Sequence, residues 1–171
     1  MNKEALTLIK QVAKTGETDL DLSEYGLKKL PDSLFELSHL KCLSVNDNQL
    51  TDLPAEIAEL SNLRNLDISD NQLLTLPPEL AKLSHLETLY VENNNLAMLG
   101  PSIAKLSNLR SLNLNGNKLI VLPAKMAQLA KLKELDLSYN RLISMPPEIV
   151  HLPQLRNLDL SGNPLINIVS N

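Results

Sequence analysis

The sequence is nearly without aromatic rings: three Tyr, one Phe and no Trp in 171 residues. A core in such a chain has to be aliphatic, and Leu is abundant enough to supply it. Its one cysteine, Cys42, excludes an internal disulfide and any zinc site built on paired cysteines, and a lone thiol fits a reducing compartment. The five Gly are scattered at turn-like positions and form no phosphate-cradling loop. No apolar run approaches the roughly 20 residues of a membrane-crossing helix, so no membrane is expected. The opening MNKEALTLIKQVAKTG lacks the form of a cleaved secretory signal. The expected address is cytoplasmic; an effector exported without a cleaved signal would have the same character. Positive charge is also in deficit, with 16 Lys and Arg against 20 Asp and Glu, a net charge of -4. That balance attracts no polyanion, so nucleic acid is not an expected partner.

What the sequence has is a period. Asn recurs at 48, 71, 94, 117, 140 and 163, each 23 positions after the last. Aliphatic residues keep register with it. One unit reads Leu40, Leu43, Val45, Asn48, Leu50, Leu53, Pro54, Ile57, Leu60, and the next repeats it from Leu63 through Leu66, Ile68, Asn71, Leu73, Leu76, Pro77, Leu80 and Leu83. Further units begin at Leu86, Leu109, Leu132 and Leu155, and an earlier one runs from Leu20 to Leu37 with Tyr25 in the Asn place. A fixed period of this length is the mark of a solenoid, in which each unit buries its apolar face against its neighbours.

The pattern L-x-x-L-x-L-x-x-N-x-L-x-x-L-P-x-x-[IL]-x-x-L resembles the leucine-rich-repeat family over nearly all of the chain after residue 17. Its L-P-x-x-[IL] half is similar to the subclass found in Ras-associated repeat proteins and in bacterial proteins, including repeats placed ahead of Ras-like GTPase domains. The resemblance implies an α/β fold: a right-handed solenoid with a parallel concave sheet and short helices or turns on the convex side. Residues 1–16 are expected to form an N-terminal helical cap, with Ala5, Ile9, Val12 and Ala13 on its inner face and Gly16 as its stop. Residues 17–171 then hold six units and a partial last one. That last unit, with Leu155, Leu158, Leu160, Asn163, Leu165 and Ile168, lacks a helical half. Either the chain is a fragment of a longer protein, or the bare end is covered by a partner or a second copy.

Alternation in the strand segment, such as Cys42 to Val45, puts Leu inward and the intervening residues outward. The Pro-led half, such as Pro77, Pro78, Leu80 and Leu83, suits a short helix that returns the chain. The Asn amide both donates and accepts, so buried after each strand it is expected to satisfy backbone groups of its own unit and the next.

Chemistry is hard to place on this pattern. His39 and His85 share a repeat position two units apart, where solvated loop residues are a better expectation than a shared metal. Cys42 has no base beside it. Glu24, Asp47 and Asp70 form an open ladder with too few oxygens for calcium. No catalytic residue, cofactor or metal is therefore expected.

The register does identify surface columns. Two are outward in the strand: Asp19, Cys42, Asn65, Thr88, Ser111, Glu134, Asn157, and Asp21, Ser44, Asp67, Tyr90, Asn113, Asp136, Asp159. Two follow it: Ser23, Asn46, Ser69, Glu92, Asn115, Ser138, Ser161, and Glu24, Asp47, Asp70, Asn93, Gly116, Tyr139, Gly162. These columns hold many acids and no Lys or Arg, whereas Lys41, Arg64, Arg110, Lys133 and Arg156 stand one step before the strands. The expectation is an acidic floor with a basic edge, and a protein partner with a basic surface. The residues expected to bind it are Asp21, Asp67, Asp70, Tyr90, Glu92, Asn113, Glu134, Asp136, Tyr139 and Asp159. The alternative is the recognition arm of a larger enzyme, such as a GTPase or a ubiquitin-ligase effector, cut at residue 171.

Overall fold

The structure, a computed structural model, describes residues 2–166. Seven three-residue strands, β1 (Asp19–Asp21), β2 (Cys42–Ser44), β3 (Asn65–Asp67), β4 (Thr88–Tyr90), β5 (Ser111–Asn113), β6 (Glu134–Asp136) and β7 (Asn157–Asp159), pair in chain order. All six pairings are parallel and advance by one repeat, so Leu20, Leu43, Leu66, Leu89, Leu112, Leu135 and Leu158 lie side by side. The first six of these are buried. Val45, expected at the end of β2, lies just beyond it, with its side chain fully buried.

The return segments begin at Pro, as the sequence suggests, but most are 3-10 turns. Ala55–Glu59, Pro78–Lys82, Pro101–Lys105 and Ala124–Gln128 are five residues each, and only Pro147–Val150, here α2, is α-helical. Pro77 O accepts from Leu80 N at 3.1 Å, and Leu80 O from Leu83 N at 3.1 Å. In so short a segment almost every backbone group is terminal, and i→i+3 bonds satisfy more of them than i→i+4 bonds. Each turn still delivers a large inward side chain, Ile57, Leu80, Ile103, Met126 or Ile149, and Pro101–Lys105 buries Ala104 as well. Each such burial is worth about 1.5–3 kcal/mol.

The N-terminal end is closed by α1 (Lys3–Thr15). Asn2 caps it, its Oδ1 accepting from Glu4 N at 2.9 Å and Ala5 N at 3.3 Å. Its Nδ2 donates to Tyr25 O at 2.8 Å, which ties the cap to the first unit. Ala5, Ile9 and Val12 are buried, whereas Ala13, expected with them, is exposed. Gly16 ends the helix at φ 74, donating its N–H to Val12 O.

The Asn column works backwards along the stack rather than forwards. Asn94 Oδ1 accepts from Leu73 N at 2.9 Å, and Nδ2 donates to Ile68 O at 3.0 Å, both in the preceding unit. The same Nδ2 reaches Val91 O and Glu92 O in its own unit. Asn48, Asn71, Asn117, Asn140 and Asn163 repeat this arrangement. Tyr25 is tolerated in the first unit because no strand precedes it, and Asn2 approaches from the cap instead. At the other end Leu155, Leu158, Leu160 and Leu165 are half-buried; Ile168 lies outside the described residues.

Asn94→Leu removes both halves of the amide's work and orphans buried backbone groups. We expect it to cost on the order of 1–3 kcal/mol in denaturant unfolding. Asn163→Leu, at a half-buried member of the same ladder, should cost less. Equal losses at the two positions would mean that burial does not set the penalty.

Candidate functional site

The outward residues of the sheet line two open hollows. The larger, about 480 Å³, lies over β1 to β4 and is walled by Asp19, Asp21, Cys42, Ser44, Asp67 and Tyr90, with Leu20, Leu43 and Leu66 at its base. The second, about 450 Å³, lies over β6 and β7, between Glu134, Asp136, Asp159 and Arg156. The expected site residues therefore separate. Asp21, Asp67 and Tyr90 meet in the first hollow, and Glu134, Asp136 and Asp159 in the second. Glu92 and Asn113 lie between the hollows and are hydrogen-bonded to each other. Asp70 and Tyr139 line neither.

Several of these acids have a local task that the columns alone did not reveal. Asp21, Asp67, Asp136 and Asp159 each accept from the backbone N–H two residues on, at Ser23, Ser69, Ser138 and Ser161, over 2.8–3.0 Å. Asn113 does the same for Asn115 N at 3.0 Å. These are Asx turns, which end the strand by satisfying an amide that the sheet no longer uses. The recurring D-x-S in the sequence was the signal. Its Ser column is also less outward than expected: Ser69 and Ser138 are buried. The Ser69 Oγ has no partner, and the Ser138 hydroxyl bonds Asp136 and accepts from Asn115 Nδ2.

The next column is set by the backbone. Glu24, Asp47, Asp70, Asn93 and Tyr139 all have φ between 51 and 63, and Gly116 and Gly162 stand in the same column at 65 and 69. Asn, Asp and Gly tolerate this left-handed region best, so the acids at 47 and 70 follow from conformation rather than from a ligand's charge. Asp70 Oδ1 is in addition bonded by Asn93 Nδ2 at 2.9 Å. Tyr139 does not fit that preference. It is 68% exposed, and its ring lies on Gly162, where an added Cβ would meet Cδ1 at 2.8 Å.

The basic edge is interrupted. Glu87 occupies the same column, and it binds Arg64 at 2.6 Å and Arg110 at 3.3 Å. Among the described residues these are the ion pairs formed, so the floor acids are not paired with a cation, although Arg156 lines the second hollow beside them. Such exposed pairs stabilise the fold by well under about 1 kcal/mol each.

Burial pushes the Cys42 thiol above its ordinary value, opposed by Asn65 Nδ2 donating to Sγ at 3.3 Å and reinforced by Asp19. That disfavours the thiolate a nucleophile would need. The histidines are not equivalent: His85 Nδ1 lies 3.1 Å from Ser61 O, whereas His39 is half-buried with Nε2 buried and unpaired. Among the described residues no cluster of His, Cys, Asp and Glu is arranged to hold a metal ion, and no helix is long and apolar enough to cross a membrane.

The Ser161 backbone N–H, and secondarily its hydroxyl, hold the Asp159 carboxyl below the usual aspartate value, against a small desolvation effect. A depressed folded-state pKa means that the turn is stabilised above the unfolded value and loses this as pH falls through the folded one. In an NMR titration Asp159 should stay ionised below the ordinary aspartate midpoint, and Ser161→Ala should move that midpoint part of the way back. An unmoved midpoint would leave the hydroxyl without a role.

Comparison with known proteins agrees with this geometry. A family profile described as leucine rich repeat matches residues 84–142 and 107–165, and one described as leucine-rich repeat region matches residues 20–103. A comparison with curated proteins gives no match. Among solved structures, a leucine-rich-repeat protein of Leptospira interrogans is 35% identical with a TM-score of 0.81 over 92% of this chain. The leucine-rich repeat domain of the type III effector XopL is 31% identical, with a TM-score of 0.85 over 94% of it. The ectodomain of the receptor kinase GASSHO1/SCHENGEN3 from Arabidopsis thaliana, solved in complex with Casparian strip integrity factor 2, is 33% identical, with a TM-score of 0.78 over 86%. The chain spans 46%, 57% and 18% of those three chains, respectively. With the repeat register, the parallel sheet and these likenesses in agreement, the chain belongs to the leucine-rich-repeat family.

Proposed function

We propose that this chain is a protein-interaction module whose concave face binds a partner with a basic surface. The observation that carries this reading is the state of the charges. Arg64 and Arg110 are occupied by Glu87, while among the described residues no cation lies within salt-bridge distance of the carboxylates of either hollow, Arg156 lining the second without pairing. Where Asp21, Asp67, Asp136 and Asp159 cap turns, one oxygen is engaged and the acceptor capacity of the carboxylate is not exhausted. Glu134 is exposed, and its one bond is from Ser111 Oγ at 3.0 Å. A surface of this sign steers a basic partner and speeds its arrival.

Tyr90 is the anchor of the first hollow, flat, amphipathic and 39% exposed. Tyr139 is the anchor beyond the second. A large residue held in the left-handed region costs stability, and such strain persists where function keeps it. The complex of the Arabidopsis ectodomain with Casparian strip integrity factor 2 supports interaction as the task of this fold. Because the compared chains are longer, the module also suits the role of recognition arm in a larger protein. The half-buried Leu155, Leu158, Leu160 and Leu165 support a contact with a second copy there, which light scattering across a concentration series would detect.

A pull-down followed by mass spectrometry identifies the partner, and three outcomes then test the reading. Tyr90→Ala should weaken binding by more than about 1 kcal/mol with the fold intact. Raising the salt concentration should slow association. Tyr139→Asn should stabilise the fold by about 1 kcal/mol through relief of backbone strain while weakening the complex. A partner that binds unchanged in all three experiments does not use this face.

A further inference from the structure

A second surface lies outside the concave face. Among the described residues, the side chains three and four positions after the Asn column are exposed. In the first two units these places hold Lys28, Lys29, Thr51 and Asp52. From the third unit on at least one of the two is a large apolar residue, with Thr75 and Ser144 among the polar exceptions, and Leu74, Met98, Ile120, Val121, Ile143 and Ile166 are each between 45% and 77% exposed. Backbone bonds from Ile143 N to Ile120 O at 3.4 Å and from Ile166 N to Ile143 O at 3.1 Å hold three of them side by side. The result is a stripe on one flank, four repeat steps or about 19 Å long.

The core does not need these residues. Leu73, Leu96, Leu119 and Leu142, one or two positions before them in sequence, are all fully buried. Leu74 and Met98 are the most exposed of the inner members. Scattered apolar residues on a surface are ordinary, but a run through five successive units, at one or other of two adjacent positions, is the usual mark of an interface.

The charges beside the stripe say what it fits. Lys118 and Arg141 stand in the column immediately after the Asn ladder, both exposed. Neither has a carboxylate at salt-bridge distance among the described residues. From Gln72 to Ile166 the three flank columns contain these two cations and no acid. A basic ligand is repelled here and attracted to the concave floor. A second copy laid stripe against stripe would bring like charges together.

We infer that this flank is a second docking surface, for a partner segment that combines aliphatic side chains with carboxylates. The stripe matches the length of a helix of about 13 residues, with apolar residues at i, i+3, i+4 and i+7 and acids along one border. Its ligand chemistry is opposite in sign to that of the concave face, so the two surfaces are able to hold different partners at once.

A random peptide library of about 13 residues displayed on phage, panned against the whole chain, tests this. Peptides recovered on the flank should carry aliphatic residues with Asp or Glu. Their binding should fall at least about tenfold in Leu74→Ser/Met98→Ser and in Lys118→Glu/Arg141→Glu, and stay unchanged in Tyr90→Ala. All three variants alter exposed side chains, and unfolding midpoints close to the parent's confirm that they fold. The inference is overturned if no recovered peptide depends on Leu74 and Met98, or if those that do show no excess of acids. It is also overturned if the unliganded chain self-associates and Leu74→Ser/Met98→Ser abolishes that association, which would assign the stripe to a second copy. Loss of concave binding in Tyr90→Ala, with flank binding intact, bears on the concave reading alone.

Discussion

Everything in this molecule depends on a buried amide repeated once per unit. A three-residue strand cannot hold itself, and the turn that follows leaves backbone groups in a place water does not reach. Each Asn satisfies an N–H and a carbonyl of the unit before it, and two carbonyls of its own. That links successive units through bonds that are costly to lose once buried. The leucines supply most of the free energy, but leucines alone do not specify register, since an aliphatic core tolerates shifts that conserve volume. The amide does not: slipped by one position, it would leave its partners orphaned.

This constraint then spreads to the concave surface. Once Asn is fixed below the turn, the preceding residue must be left-handed and the strand must end in a side-chain cap. Asp and Asn meet both demands, so a large share of the acidity is a by-product of ending strands in so short a space. The chemistry left for recognition is what those demands do not explain. Tyr90 breaks the capping column, Tyr139 breaks the left-handed column, and Glu134 belongs to neither. A residue that departs from the local rule is a better guide to function than one that obeys it.

How much of this was legible in the sequence follows the same division. The period placed residues in columns, so the strands, the inward leucines and the order of the sheet could all be read before the structure. Depth within a column could not, because it depends on how far each turn rolls. Ser69 and Ser138 read as outward and are buried; Ala13 read as inward and is exposed. The direction of the Asn bonds was also hidden, since an amide has the same composition whichever neighbour it serves. Glu87 was readable, standing in register between Arg64 and Arg110, but its effect on the basic edge requires the distances. The short helices became 3-10 turns because spacing of Pro and Leu sets their position and not their hydrogen-bond pattern.

From the third unit on, the two proposed surfaces meet at the turn around the Asn. In the sixth, Tyr139 faces the concave rim, Asn140 is buried, and Arg141 and Ile143 face the flank. Five consecutive residues thus carry two opposed surface chemistries around one fixed amide. A ligand that immobilises either side orders backbone that the other side also uses. Two ligands sharing one ordering cost bind with positive coupling even when neither changes the structure. The size of that coupling is set by how rigid Asn140 already makes the turn. Four amide bonds at 2.9–3.2 Å hold it firmly before any ligand arrives, which leaves little entropy to share. The fold therefore favours two nearly independent contacts, whose benefit is to hold two partners close to each other rather than to pass an allosteric signal.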